Sequence, residues 1–171
     1  MACIPMGFNF GLNAGDTRMK RKFRWLLKIQ GVSADGIDAL PPQKGARPNV
    51  SFREIEAQHV TETVYFPGKP EWKPINLTLY ETNAGEHPVW RWIKSLYDPR
   101  AGTWNPSCNG FKKPEARLEL YDGCGEVLET WVYENVWVQS AEFGDLDMSS
   151  PDVVTCDLTL RYDRAYIEDA I

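Results

Sequence analysis

The chain has 171 residues, of which 43% are hydrophobic and 25% charged, the balance of a globular protein long enough to bury its own core. Its 19 basic residues against 24 acidic ones leave a net charge of -5, which argues against broad nucleic-acid binding by phosphate neutralisation, since that needs a basic surface. No apolar run approaches the roughly 20 residues of a spanning helix, and the opening MACIPMGFNFGLNAG lacks the basic start and long apolar core of a signal peptide, so cytosolic synthesis without membrane insertion is expected.

One domain over residues 1–171 is expected, led by an arm at about residues 1–17. In RMKRKFRWLLKIQ, Lys20, Lys22, Arg24 and Lys28 share one parity while Phe23, Trp25, Leu27 and Ile29 share the other, predicting a strand with a solvated basic face. Gly31 to Asn49, GVSADGIDALPPQKGARPN, is long for a structureless loop; such excursions usually carry function or meet a partner. Val50 to Phe66, VSFREIEAQHVTETVYF, contains no proline or glycine and would span about 50 Å fully extended. Both of its parities are mixed: one carries Glu54, Glu56 and Glu62, the other Ile55, Ala57, His59 and Thr61. Such a strand is an edge hazard unless something pairs with it. It reads either as a bent strand that changes partners at a bulge or as a strand made for assembly into a larger sheet.

FPGKPEWKP follows, and its three prolines predict a rigid joint that ends the long strand at Phe66 and restarts the chain at Ile75. In PINLTLYE, Ile75, Leu77 and Leu79 alternate with polar residues, a half-buried strand. HPVWRWIKSLYDP changes period: Val89, Trp92, Ile93, Leu96 and Tyr97 mark a helix of about ten residues that starts at Pro88 and stops at Asp98-Pro99. Ala101 to Pro114 forms a second excursion. Strands return with EARLELYD, a glycine-containing hairpin loop YDGCGE, and Glu126 to Phe143, either one long bent strand or two with a break near Glu134-Asn135. DLDMSSPD reads as a solvated turn of Asx and ST type; it lacks the spaced ligands and closing Glu of a calcium loop. VVTCDLTLRYD closes the pattern with Val154, Cys156, Leu158, Leu160 and Tyr162 on one parity. The fold class is mainly β: an antiparallel sandwich or barrel with one α-helix at about 88–98 and a long strand or hairpin extension.

Catalytic chemistry is sparse. His59 and His87 are the only histidines, and neither has a serine or cysteine in a nucleophile-elbow setting. P-loop, GxGxxG, HExxH and EF-hand patterns are missing from the sequence. Cys3, Cys108, Cys124 and Cys156 form no CxxC pair, and no histidine stands at zinc-finger spacing from a pair. No enzyme, cofactor or metal site is therefore expected; Cys156 reads as a small core residue. A ligand-binding sandwich using Trp72, Trp90 and Trp104 as stacking platforms is a competing class.

Three stretches, in this order and spacing, resemble the tail tube proteins of contractile-tailed bacteriophages and the related inner-tube proteins of contractile injection systems, with the haemolysin-coregulated protein of type VI secretion as a more distant relative. They are EAQHVTETVYFPGKPEWKPINLTLYE (Glu56–Glu81), WRWIKSLYD (Trp90–Asp98), and the block Ala116–Ile167 with its YENVWV, its acidic serine-rich turn and its closing tyrosine-rich strand. The resemblance covers about two thirds of the chain and no single motif in it is diagnostic. It implies a non-enzymatic virion tail protein assembled in the bacterial host cytoplasm. Homo-hexameric rings would join their strands into an inner barrel and stack into a hollow tube. Sheath, baseplate, tail-terminator and tape-measure proteins would be its partners, with DNA in transient passage. The injection-system counterpart, carrying effectors, is the alternative. On that resemblance Glu54, Glu56 and Glu62 are candidates to line the lumen, and Ile55, Ala57, His59 and Thr61 to form the inter-subunit strand. Asp35, Ile37, Leu40, Lys44 and Arg47 are candidates for ring-to-ring contacts.

Overall fold

The computed structural model describes residues 20–29, 42–58, 60–81, 87–106, 110–122 and 124–168; the N-terminal arm, most of the first excursion and His59 lie outside them. Among the described residues, eleven strands and one helix follow in order: β1 (Trp25–Ile29), β2 (Pro42–Gly45), β3 (Asn49–Gln58), β4 (Thr63–Lys73), β5 (Ile75–Tyr80), α1 (Pro88–Lys94), β6 (Tyr97–Asp98), β7 (Thr103–Trp104), β8 (Lys113–Tyr121), β9 (Val127–Phe143), β10 (Thr155–Arg161) and β11 (Arg164–Glu168). Seven of them form one antiparallel sheet in the order β1-β8-β9-β10-β5-β2, with β11 also paired to β9.

The sheet folds over at β9, which is a single strand. Thr130 to Glu134 lie between β8 and β11, while Trp137 to Phe143 run beside β10. The bend falls at Asn135, whose φ of 56° is left-handed backbone that asparagine tolerates better than most residues. Its Nδ2 donates to Oδ2 of Asp163 at 2.9 Å, and the Asp163 amide donates to the Glu134 carbonyl at 3.0 Å, so the corner is fixed by local bonds. The edges β1 and β2 then approach one another, and the Trp25 indole lies where a Cβ on Gly45 would sit, 2.7 Å from it. The result is a sandwich curled towards a barrel.

Period-two alternation delivers the core as the sequence predicts. Ile75, Leu77 and Leu79 of β5, Ala116 and Leu118 of β8, and Cys156, Leu158 and Leu160 of β10 are buried together with Tyr133 and Tyr162. At the other end of the core, Val89 and Trp92 of α1 are buried, and the Trp92 indole nitrogen donates to the Phe111 carbonyl at 2.6 Å. The helix is shorter than its apolar stripe suggests. Asn105 captures the free carbonyls after its last turn, through its amide to Leu96 at 2.8 Å and its side chain to Ser95 at 3.1 Å. Tyr97 and Asp98 leave the helix to pair with Trp104 and Thr103.

Four further expectations change. The basic run is not all strand: β1 begins at Trp25 and Phe23 is 70% exposed. Residues 42–45 of the first excursion pair with β5 as strand β2. Val50 to Phe66 is not one strand but most of a hairpin, folding back between Gln58 and Thr63 where the polar middle of the segment falls. FPGKPEWKP is therefore no joint: Phe66 to Lys73 belong to β4, and only Pro74 separates β4 from β5.

Candidate assembly interface

The β3–β4 hairpin forms a two-stranded sheet of its own. Ten or so residues per strand at about 3.3 Å each give it a reach of about 33 Å. Its base is anchored: Trp72, opposite Val50, packs on the core with its ring centroid 5.9 Å from that of Tyr162. Beyond the base the strands are exposed on both faces. The prolines of β4 are accommodated by a bulge. Phe52 opposes Pro70 and Glu54 opposes Pro67, so β4 carries one residue more than β3 over this interval. Gly68 sits in that bulge, and a Cβ there would stand 2.8 Å from the Arg53 carbonyl oxygen.

Pairing sorts the hairpin into two faces. Val50, Phe52, Glu54 and Glu56 oppose Trp72, Pro70, Pro67 and Tyr65 on one; Ser51, Ile55 and Ala57 oppose Glu71, Phe66 and Val64 on the other, where Arg53 also pairs with Glu71. The lumen candidates Glu54 and Glu56 thus share a face, and the strand candidates Ile55 and Ala57 share the opposite one. Thr61 and Glu62 lie in the turn, outside either strand, so neither takes part in the alternation. Large apolar side chains stay open to solvent along both strands: Phe52 is 62% exposed, Ile55 55%, Tyr65 58% and Phe66 52%. An isolated two-stranded hairpin is marginally stable in water, and its outer edges offer unpaired backbone donors and acceptors. Exposed apolar surface of this extent marks a contact site.

A second polar feature lies at the start of β9. Glu129 is buried: Lys20 grips its Oε2, and the Trp131 indole nitrogen donates to Oε1, from which Arg47 Nη1 lies 3.7 Å away. Lys20, Arg21, Lys22, Lys44 and Arg47 surround a cavity of about 470 Å³ walled by Trp25. Of the ring-to-ring candidates, Lys44 and Arg47 belong to this basic mouth; Asp35, Ile37 and Leu40 lie outside the described residues. Nearby, Lys28 Nζ donates to Glu119 at 2.8 and 3.0 Å, and the Tyr121 hydroxyl donates to the same carboxylate. Burial works to raise the Glu119 pKa, but Lys28 and Tyr121 outweigh it and hold the carboxyl below its ordinary value.

The acidic turn after β9 is solvated, with Asp147 accepting from the Ser149 amide at 2.9 Å and its hydroxyl at 2.7 Å. The tryptophans form no common platform: Trp72 is on the core, Trp90 lies 6.1 Å from Phe143, and Trp104 lies 5.0 Å from Tyr97. Cys156 and His87 come near one another beside Glu81, a constellation hidden from sequence because it draws on three elements. Burial pushes the Cys156 thiol up to about 11, the reverse of what an activated nucleophile needs.

A curled β core that leaves a long, apolar, two-faced arm uncovered defines a class: subunits that are completed by assembly. The family described as T4-like virus tail tube protein gp19 matches residues 21–166, and the chain belongs to that family of structural tube proteins. No curated protein sequence matches the chain. Among solved structures it is similar to the tube-terminating cap of the anti-feeding prophage, at TM-score 0.71 and 20% identity over 94% of this chain and 100% of that one. It is similar to a chain of the sheath–tube complex of an extracellular contractile injection system in its extended state, at 0.67 and 20% over 96% and 100%. Hcp1 from Salmonella typhimurium shares the fold at 0.52 and 13%, over 83% of each chain. At these identities the likeness is one of fold.

Proposed function

We propose that this chain is the repeating subunit of the inner tube of a phage tail. Copies close into hexameric rings in which the β3–β4 hairpin of each subunit pairs with its neighbour, and rings stack head to tail into a hollow tube that conducts DNA. The observation that carries this reading is the hairpin, uncovered on both faces and open at both edges. Closing a ring removes the edges by pairing them, and head-to-tail stacking is a heterologous contact that propagates a filament. Ile55 and Ala57 face the neighbouring subunit. Glu54 and Glu56, on the other face, line the lumen and repel passing phosphate. Lys44 and Arg47 meet the next ring. The sheath and terminator proteins engage the outer wall and the tube ends, and the tape-measure protein fills the channel before DNA passes.

The fold shared with contractile injection systems supports a second reading, an inner tube that carries effectors. Gene neighbourhood separates the two: capsid and terminase genes go with a phage tail, and sheath and ATPase genes without a capsid go with an injection system. Negative-stain microscopy of the concentrated full chain tests the common core of both. Rings or hollow tubes are expected; a population that stays monomeric at the highest soluble concentration refutes ring closure through the hairpin.

A further inference from the structure

Beside the start of α1, three side chains from separate elements converge. They are Glu81, just past β5; His87, which precedes Pro88; and Cys156 of β10. One carboxylate oxygen, one imidazole nitrogen and the thiol sulfur all lie within 4.8 Å of one another. Nε2 of His87 is 3.3 Å from Oε1 of Glu81, close to the ligand–ligand edge of about 3.4 Å that follows from tetrahedral zinc bonds of about 2.0–2.1 Å.

A second observation points to a ligand. Both ring nitrogens of His87 are sealed from solvent, and neither makes a hydrogen bond; the approach to Glu81 lacks hydrogen-bond geometry. Buried polar atoms are rarely left so unless something fills the place. The ring is held edge-on against Phe143 at 5.2 Å between centroids, so its direction is set by packing. Cys156 is a free, buried thiol. An adjoining cavity of about 380 Å³, walled by Trp90, Phe143, Leu146 and Val154, opens onto Glu81 and His87 and has room for water.

We propose that Glu81, His87 and Cys156 bind a divalent cation of the zinc type, with a water from the cavity as the fourth ligand. A thiol, an imidazole and a carboxylate are the donors such an ion takes, whereas calcium and magnesium call for oxygen ligands throughout. On binding, the Cys156 Sγ–H proton passes to solvent, a sulfur–metal bond forms, and nothing is oxidised or reduced. The ion ties the start of α1 to the ends of β5 and β10. It is a structural clip, independent of whether the chain builds a tube.

The test uses the full chain freed of metal by a chelator, titrated with Co²⁺ as a coloured stand-in and melted with and without Zn²⁺. One equivalent of Co²⁺ is expected to produce a thiolate-to-cobalt charge-transfer band, and Zn²⁺ to raise Tm. His87→Gln and Cys156→Ser should each weaken binding by about a hundredfold or more and Glu81→Gln by at least about tenfold. His87→Gln alters a half-buried residue on a loop and should keep the native circular dichroism, so it decides the matter even if Cys156→Ser fails to fold. No cobalt band in the wild type, or a band undiminished in His87→Gln, overturns the proposal.

Discussion

Phe66→Ser is the perturbation that best separates the hairpin's proposed role in assembly from any role in folding. Phe66 is 52% exposed in the subunit and pairs across the hairpin with Ile55. A Phe side chain presents roughly 200 Å², so about 100 Å² remains for a neighbour to cover. At about 25 cal/mol/Å² that is about 2.5 kcal/mol per joint, or about seventyfold in the affinity of one subunit for the next. Within the subunit the substitution removes only a cross-strand contact, about 0.2–1 kcal/mol. Sedimentation velocity should therefore show rings dissociating at far higher concentrations than in the wild type, while the urea midpoint of the isolated subunit moves little. Tubes that form as in the wild type, or a monomer destabilised by much more than about 1 kcal/mol, would refute the assignment of this face to assembly.

Gly68→Ala tests the bulge: its Cβ would meet backbone 2.8 Å away, so the strands must part locally, and cross-linking yield between subunits should fall while the core's near-ultraviolet circular dichroism is kept. Glu119→Gln should cost about 1 kcal/mol near neutral pH, because Lys28 is 47% exposed and the pair is partly screened. The pH dependence follows in sign: the lowered Glu119 pKa stabilises above the unfolded value of 4.5 and is lost as pH falls through the folded value. The raised Lys28 pKa stabilises below 10.5 and is lost above it. The wild-type advantage over Glu119→Gln in chemical denaturation should thus be a plateau that shrinks at both ends. Tyr133→Phe should be neutral or stabilising by up to about 1 kcal/mol in urea titrations, since it deletes a buried hydroxyl that has no hydrogen-bond partner.

The core was legible because one face of each strand is buried and the pleat translates that into alternation; Ile75, Leu77, Leu79, Cys156, Leu158 and Leu160 are all where their parity places them. The corner in β9 was legible too, because Asn135 interrupts an otherwise aromatic and β-branched run. The hairpin was legible only as an alternative to a long strand, and its turn and boundaries were not. With neither face covered by the subunit's own core, Val50 to Phe66 carries little of the one-sided alternation that reveals strand boundaries. Its turn lacks glycine and proline, while the prolines that suggest a boundary are absorbed by a bulge inside β4. The end of α1 is hidden in the sequence for a different reason: the apolar stripe runs on through Leu96, and the Asn105 contacts that stop the helix come from ten residues along the chain. The grouping of Glu81, His87 and Cys156 could not be seen from spacing at all.

The bent strand β9 has a mechanical consequence. Because Thr130–Glu134 are laced to β8 and β11 and Trp137–Phe143 to β10, prising the two halves of the subunit apart has to shear several hydrogen-bonded ladders along one continuous polypeptide. A rod of such units would yield at the joints between subunits well before any subunit tears. Under excess load such a rod would then fracture cleanly between intact subunits, instead of unravelling into unfolded chain.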